Sequence, residues 1–250
     1  MVKKSIQLPR PASPSIDDVL AAFLGEQEKR LKPRTFSHYR DAVDLLRHFL
    51  DDYGHNGLSA AEARFLEQHS EAEGSARRTF CGLFGPERIA DNIGEFMDYF
   101  LVRKVIASED FLRQVGTVVR KLTKWLVANG HVPQESGEIA AERAADSARD
   151  LPKARRAADI LARAVLTQDV DPEEVVDENY LEFDHFTIVR LERGKLWLEG
   201  FASLLASGSI GPVPVPVAAT NLLEKGWAIS CALGQDRGTW YLLEVANVYP

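Results

Sequence analysis

The sequence predicts an α+β chain of more than one domain. Apolar residues recur every three to four positions through most of the first 166 residues, and from about residue 180 the pattern changes to short β-type runs punctuated by glycine. Charge divides the chain in a similar place. Residues 1–135 carry 19 Lys+Arg against 19 Asp+Glu, so the net charge of -7 comes from the remaining 11 against 18. The expected organisation is a tail over 1–14, a helical domain over 15–135, a helical and acidic connector over 136–179, and a small five-stranded β-barrel, SH3-like or OB-like, over 180–250. With 250 residues, 45% of them apolar, the chain can bury proper cores.

Pro9, Pro11 and Pro14 without apolar periodicity mark the tail. Ser15 and Asp18 have the spacing of a capping box and open a helix whose inward residues are Ile16, Val19, Leu20, Phe23 and Leu24. That helix should end near Leu31, because Pro33 disfavours helix at Lys32. A second helix then runs to a stop at Gly54. Phe36, Tyr39, Val43, Leu46, Leu50 and Tyr53 form its inner stripe, and Arg40, Asp44, Arg47 and Asp51 face outward, able to pair along the surface. Residues 60–73 suit a polar helix and 74–85 a mixed loop. Pro86-Glu87 open a further helix with Ile89, Ile93, Phe96, Met97 and Phe100 turned inward.

The stretch 100–132 organises the helical domain. Ser108 can cap a helix, Glu109 and Asp110 suit the positive end of its dipole, and Asn129-Gly130 supplies a left-handed stop. Phe111, Val115, Val118, Leu122, Trp125 and Leu126 fall on one face. Arg113, Thr117, Arg120 and Lys124, with Lys121 beside them, fall on the other. Such a basic stripe suits a polyanion, and the same pattern also occurs on helices that merely solvate themselves.

Thr35, Tyr39, Leu46 and Phe49 on one helix, Ile89 and Phe96 on the next, then Leu122, Trp125-Leu126 and Gly130, together resemble the core-binding domain of tyrosine recombinases, the SAM-like helical module of phage integrases. The resemblance covers about residues 15–133. It implies a SAM-like bundle that clamps one side of a DNA duplex, with phosphate contacts at Arg34, Thr35, His38, Arg113, Thr117, Arg120, Lys121 and Lys124. The chain departs from the family where catalysis would sit. No His-x-x-Arg occurs, and Tyr241 and Tyr249 lie in strand-like sequence without the arginine and histidine set that would activate a phosphoryl-transfer nucleophile. A non-enzymatic DNA-binding protein without a cofactor is therefore expected.

From Ser136 to about Leu166 an Ala, Arg and Glu-rich segment reads as two helices separated at Pro152. The acidic run 169–184 has neither the spacing nor the glycine of a calcium loop and reads as a linker helix capped by Asp171-Pro172. Two hairpins follow, about Arg193-Gly194 and about residues 235–238, with 213–219 as an edge strand because its prolines cannot donate to a ladder. Trp197, Phe201, Trp227, Trp240 and Tyr241 offer rings for a base-stacking platform, so RNA binding through the barrel is one alternative. A protein-interaction scaffold, docking a basic partner on the acidic half or folding that half over the basic helix, is the other. Cys81 and Cys231 match no metal-ligand or redox spacing and read as reduced core residues. No apolar run is long enough for a bilayer, and a cytoplasmic protein is expected.

Overall fold

The structure is a computed structural model that describes residues 10–74, 77–168, 170, 180–200 and 208–250. Its helices are α1 (Ile16–Glu28), α2 (Pro33–Tyr53), α3 (Ala60–Ser70), α4 (Phe80–Leu83), α5 (Glu87–Gly94), α6 (Leu101–Arg103), α7 (Glu109–Ala128), α8 (Gln134–Val165) and α9 (Val217–Thr220). Its strands are β1 (Tyr180–Glu192), β2 (Lys195–Glu199), β3 (Ile210–Pro214), β4 (Ala228–Asp236) and β5 (Thr239–Tyr249). The chain forms two compact units. The first takes the residues up to Phe100 together with Gln114–Asp146, and the second takes Leu101–Arg113 with Ser147–Pro250.

In the first unit the expected caps form. The Asp18 N–H donates to Ser15 Oγ at 3.2 Å and the Asp18 carboxylate accepts the Ser15 N–H at 2.9 Å, so the shorter acid completes the box. Ser59 and Glu62 build a second box at the start of α3. The core is rich in rings: Phe49 lies 5.3 Å from Phe96, and Phe80 lies 4.5 Å from Phe84. Phe96 and Met97 are buried in a π-helical turn, Glu95–Phe100, that follows α5. Two of the outward charges of α2 reach other elements. Arg47 pairs with Asp17 of α1 at 2.8 Å, and Asp51 accepts the Cys81 N–H at 2.9 Å. At the end of α7, Gly130 has φ of +71°, with His131 N–H donating to the Leu126 carbonyl and Gly130 N–H to that of Val127, the two bonds of a Schellman stop.

Pro152 does not separate two helices. It lies inside the single helix α8. Proline removes one helical donor, a local loss that the Ala-rich flanks and the burial of Leu151, Ala154, Ala157 and Leu161 outweigh. These residues back the sheet of the second unit, whose antiparallel order is β3-β2-β1-β4-β5. Alternation sends Phe186 and Ile188, Leu196 and Leu198, Ile229, Cys231 and Leu233, and Leu242 and Val248 into one core. Gly194 and the pair Arg237-Gly238 supply the positive φ values of the two hairpin turns. The closed barrel is corrected: β3 and β5 come close, but no ladder joins them and the sheet is open. The edge strand ends at Pro214, after which Val217–Thr220 turns helical.

The expected boundaries at 135 and 180 are not those of the compact units. Leu101, Val102, Val105, Ala107 and Leu112 surround a cavity of about 20 Å³ with Leu151, Ala154 and Ala158 of α8 and Val248 of β5, which ties this segment to the sheet. The linker helix expected at Asp171-Pro172 lies outside the described residues. Among the described residues no helix is long and apolar enough to cross a membrane.

Candidate functional site

On α7 the inner stripe is Leu112, Val115, Val118, Val119, Leu122 and Leu126, with Phe111 half-buried. Trp125 is also half-buried. Its ring packs edge-on to Phe23 at 5.6 Å and its Nε1–H donates to Glu26 at 2.9 Å, fixing α7 against α1. Ser108 Oγ accepts the Phe111 N–H at 3.2 Å, as a cap should.

The basic side of α7 has three kinds of residue. Arg113 belongs to the second compact unit and pairs with Asp110 at 2.6 Å. Lys121 donates to the Tyr39 hydroxyl at 2.6 Å and sits 5.3 Å from that ring's centre, so α7 is held against the early turns of α2. On α2, Arg34 and Thr35 are exposed and His38 is half-buried. Thr117, Arg120 and Lys124 are exposed, and Arg120 and Lys124 form no ion pair among the described residues. These last two line a groove of about 370 Å³ whose opposite wall, on α8, carries Glu138 and Glu142. At its base a Cβ on Gly137 would collide with Val127, so the glycine sets how closely α7 and α8 approach there.

A second cluster forms on the sheet of the second unit. His185 of β1 faces Ser230 of β4 in register, and Ala228 pairs with Tyr249, which leaves Tyr249 of β5 diagonal to Ser230. Ser230 Oγ lies 3.2 Å from His185 Nε2 and 3.4 Å from the Tyr249 hydroxyl. Arg103 of α6 reaches the same place: its Nε donates to the Tyr249 hydroxyl at 2.9 Å and its Nη2 to His185 Nε2 at 3.0 Å. Tyr249 thus has one arginine and one histidine beside it, neighbours that its own strand sequence does not contain.

No family model, curated protein or solved structure matches this chain.

What the two clusters can do follows from their own chemistry. The α7 face offers cations and a hydroxyl to an anion, with acid across the groove. The sheet cluster includes a serine, a histidine and, 3.9 Å from His185 Nδ1, the carboxylate of Asp184. It is not an activated serine, because Arg103 donates to the Nε2 lone pair that would have to take the serine proton. Asp184 Oδ1 instead accepts the His185 N–H at 2.7 Å. Of the five aromatic residues considered for base stacking, Tyr241 is half-buried on β5. Trp227 is buried, the Trp197 ring is covered by Arg190 at 4.2 Å, Trp240 packs on the core, and Phe201 lies outside the described residues. Among the described residues no group of three His, Cys, Asp or Glu is placed to hold a metal.

The sheet cluster escaped sequence reading because Arg103 and Tyr249 are 146 positions apart. The available signal was strand alternation: His185, Ser230 and Tyr249 each follow or precede a core residue, so each occupies the outer side of its strand.

Proposed function

We propose that the helical unit is a SAM-like module, resembling the core-binding domain of tyrosine recombinases, that binds duplex DNA through its phosphates. One observation carries this reading. Lys121 seated on Tyr39 joins the exposed side of α7, with Arg120 and Lys124, to the early turns of α2, with Arg34, Thr35 and His38. The surface is small and offers few base-reading side chains, so binding is weakly sequence-specific and salt-sensitive. The test is titration of a labelled duplex at two salt concentrations with the wild-type chain and the Arg120→Glu/Lys124→Glu variant. Salt-sensitive binding that the double variant loses is expected, and equal binding by both sinks the reading.

Glu138 and Glu142 across the groove from Arg120 and Lys124 favour a second reading, a protein-interaction scaffold. Mixed charge on facing walls suits a polypeptide carrying both signs better than a polyanion. Failure to bind duplex, with binding of a mixed-charge peptide library that the double variant loses, would favour it.

A further inference from the structure

The groove between α7 and α8 carries more than the basic stripe that borders it. On α7, Arg120 and Lys124 are exposed and four residues apart, and on the facing wall of α8 so are Glu138 and Glu142. Between the two rows the floor is apolar, with Ala141 buried and Val127 and Ala145 half-buried. Opposite charges on facing walls would pair if they could meet. Among the described residues none of these four is in an ion pair, and Glu138 accepts a hydrogen bond from Gln134 of its own helix at 2.6 Å. The walls are held apart, with about 370 Å³ of groove between them. An apolar strip flanked by two rows of unpaired charge is the surface that the seam and flanks of a coiled-coil helix meet on a partner.

Resting on the scaffold reading of this groove, we propose that it docks one amphipathic helix of a partner protein, whose apolar seam is flanked by acidic residues along one edge and basic residues along the other. Side chains are needed in three directions at once: apolar onto the floor, acidic toward Arg120 and Lys124, and basic toward Glu138 and Glu142. A helix supplies three directions, and an extended strand supplies two, on opposite faces. A strand whose side chains reached both walls would also lay its N–H and C=O groups on the Val127 and Ala141 floor without partners, whereas a helix satisfies its own backbone. Spacing agrees. Charges four residues apart on α7 and on α8 repeat about every 6 Å, as do residues four apart on an incoming helix. A polyanion is opposed by the two glutamates. A second copy of this chain can match the charges, but it presents groove to groove and leaves a void that one inserted helix fills.

The test titrates the full chain into four fluorescent peptides of about three heptads each, read by anisotropy. Three share a leucine seam and differ at their edges: Glu on one and Lys on the other, Glu on both, or Lys on both. The fourth is the mixed-edge peptide with proline at two central positions, which breaks its helix. The mixed-edge helix is expected to bind about tenfold more tightly than either single-sign helix, because each of those sets like charges against one wall. Its lead over the Lys helix must hold although the net charge of -7 favours that peptide at long range. Exchanging the two edges is no control, since the helix then lies in the groove in the reverse direction. Arg120→Glu/Lys124→Glu makes both walls acidic and should move the preference to the Lys helix, and Glu138→Lys/Glu142→Lys should move it to the Glu helix. Either variant suffices if the other does not fold. A single-sign helix binding the wild-type chain as tightly as the mixed one, or a preference that neither variant moves, overturns the proposal. Equal binding of the proline peptide overturns it but leaves the scaffold reading standing. No binding by the mixed-edge helix overturns it too, and sinks the scaffold reading with it if the mixed-charge library also fails. Self-association of the free chain that the α7 variant abolishes would make a second copy the occupant and overturn it as well.

Discussion

Gly54 closes α2 with φ of -58°, an ordinary helical value, so its backbone does not require glycine. Its need is steric. A Cβ there would lie 2.8 Å from the Phe80 ring, which packs over the helix end. Gly54→Ala should cost about 1–3 kcal/mol in denaturant unfolding, as overpacking does. Adding Phe80→Leu should recover part of that loss, and a double variant no better than the single one refutes the account. The sequence marks Gly54 as a stop, and the stop is where it is read. The reason that glycine fits there is a residue 26 positions away, Phe80, which no local pattern contains. The two cysteines were legible from spacing alone as core residues. Burial raises the Cys81 thiol, with the Asp51 carboxylate adding to it, and burial with Asp184 pushes Cys231 up to about 12. Neither should react with an aromatic disulfide reagent at about pH 8 until the chain unfolds, because the thiol is not the nucleophile. Reaction of either on mixing with the native chain contradicts this.

At the scale of elements, periodicity predicted α1, α2, α5 and α7 well because each buries one face, and glycine marked both hairpins because two-residue turns need positive φ. Pro152 misled for a physical reason: the proline rule describes an isolated helix, and α8 is held by what it packs on. Its second half also carries a charged latch. Asp150, 9% exposed, accepts from Arg149 at 2.7 Å and from Lys153 at 3.1 Å, and Lys153 donates on to Glu224 at 3.0 Å. Burial raises the Asp150 carboxyl, but the hydrogen bonds from Arg149 and Lys153 prevail and hold it below the usual value. A folded value below the unfolded one means that the latch contributes stability at neutral pH and loses it as pH falls through the folded value. Lys153 is raised, first by its hydrogen bond to Glu224 and then by Asp150. Its share is present below the ordinary lysine range and lost as pH rises through the raised value. Asp150→Asn should therefore lower stability by about 1–3 kcal/mol near neutral pH, and by much less in acid, where the wild-type carboxyl is also protonated. Urea midpoints against pH decide it: a deficit that stays constant into acid would show that the carboxylate charge is not what the latch uses.

For the whole molecule the charge is -7, yet the proposed DNA face needs only a few local cations, and these two facts make a quantitative demand. Of the residues that the sequence and the resemblance marked, Arg113 is paired to Asp110 and Lys121 is engaged by Tyr39. That leaves Arg120 and Lys124 on α7, with Arg34 on α2, as the exposed cations closest to the task. Each phosphate neutralised adds about 0.9 to the slope of log affinity against log salt. A face with two to three such contacts should show a slope of about 2–3, far below that of a protein wrapped in DNA. Arg120→Glu/Lys124→Glu should lower it by about 2. General repulsion from the rest of the chain acts at longer range and is screened by salt beyond roughly 10 Å at 0.1 M, so it weakens binding most at low ionic strength. The wild-type plot should accordingly flatten at low salt, where repulsion opposes counterion release, and reach its full slope only at moderate salt. A steep slope of about 6 or more, straight down to the lowest salt, would require cations that the α2 and α7 face does not have, and would move the interface elsewhere on the chain.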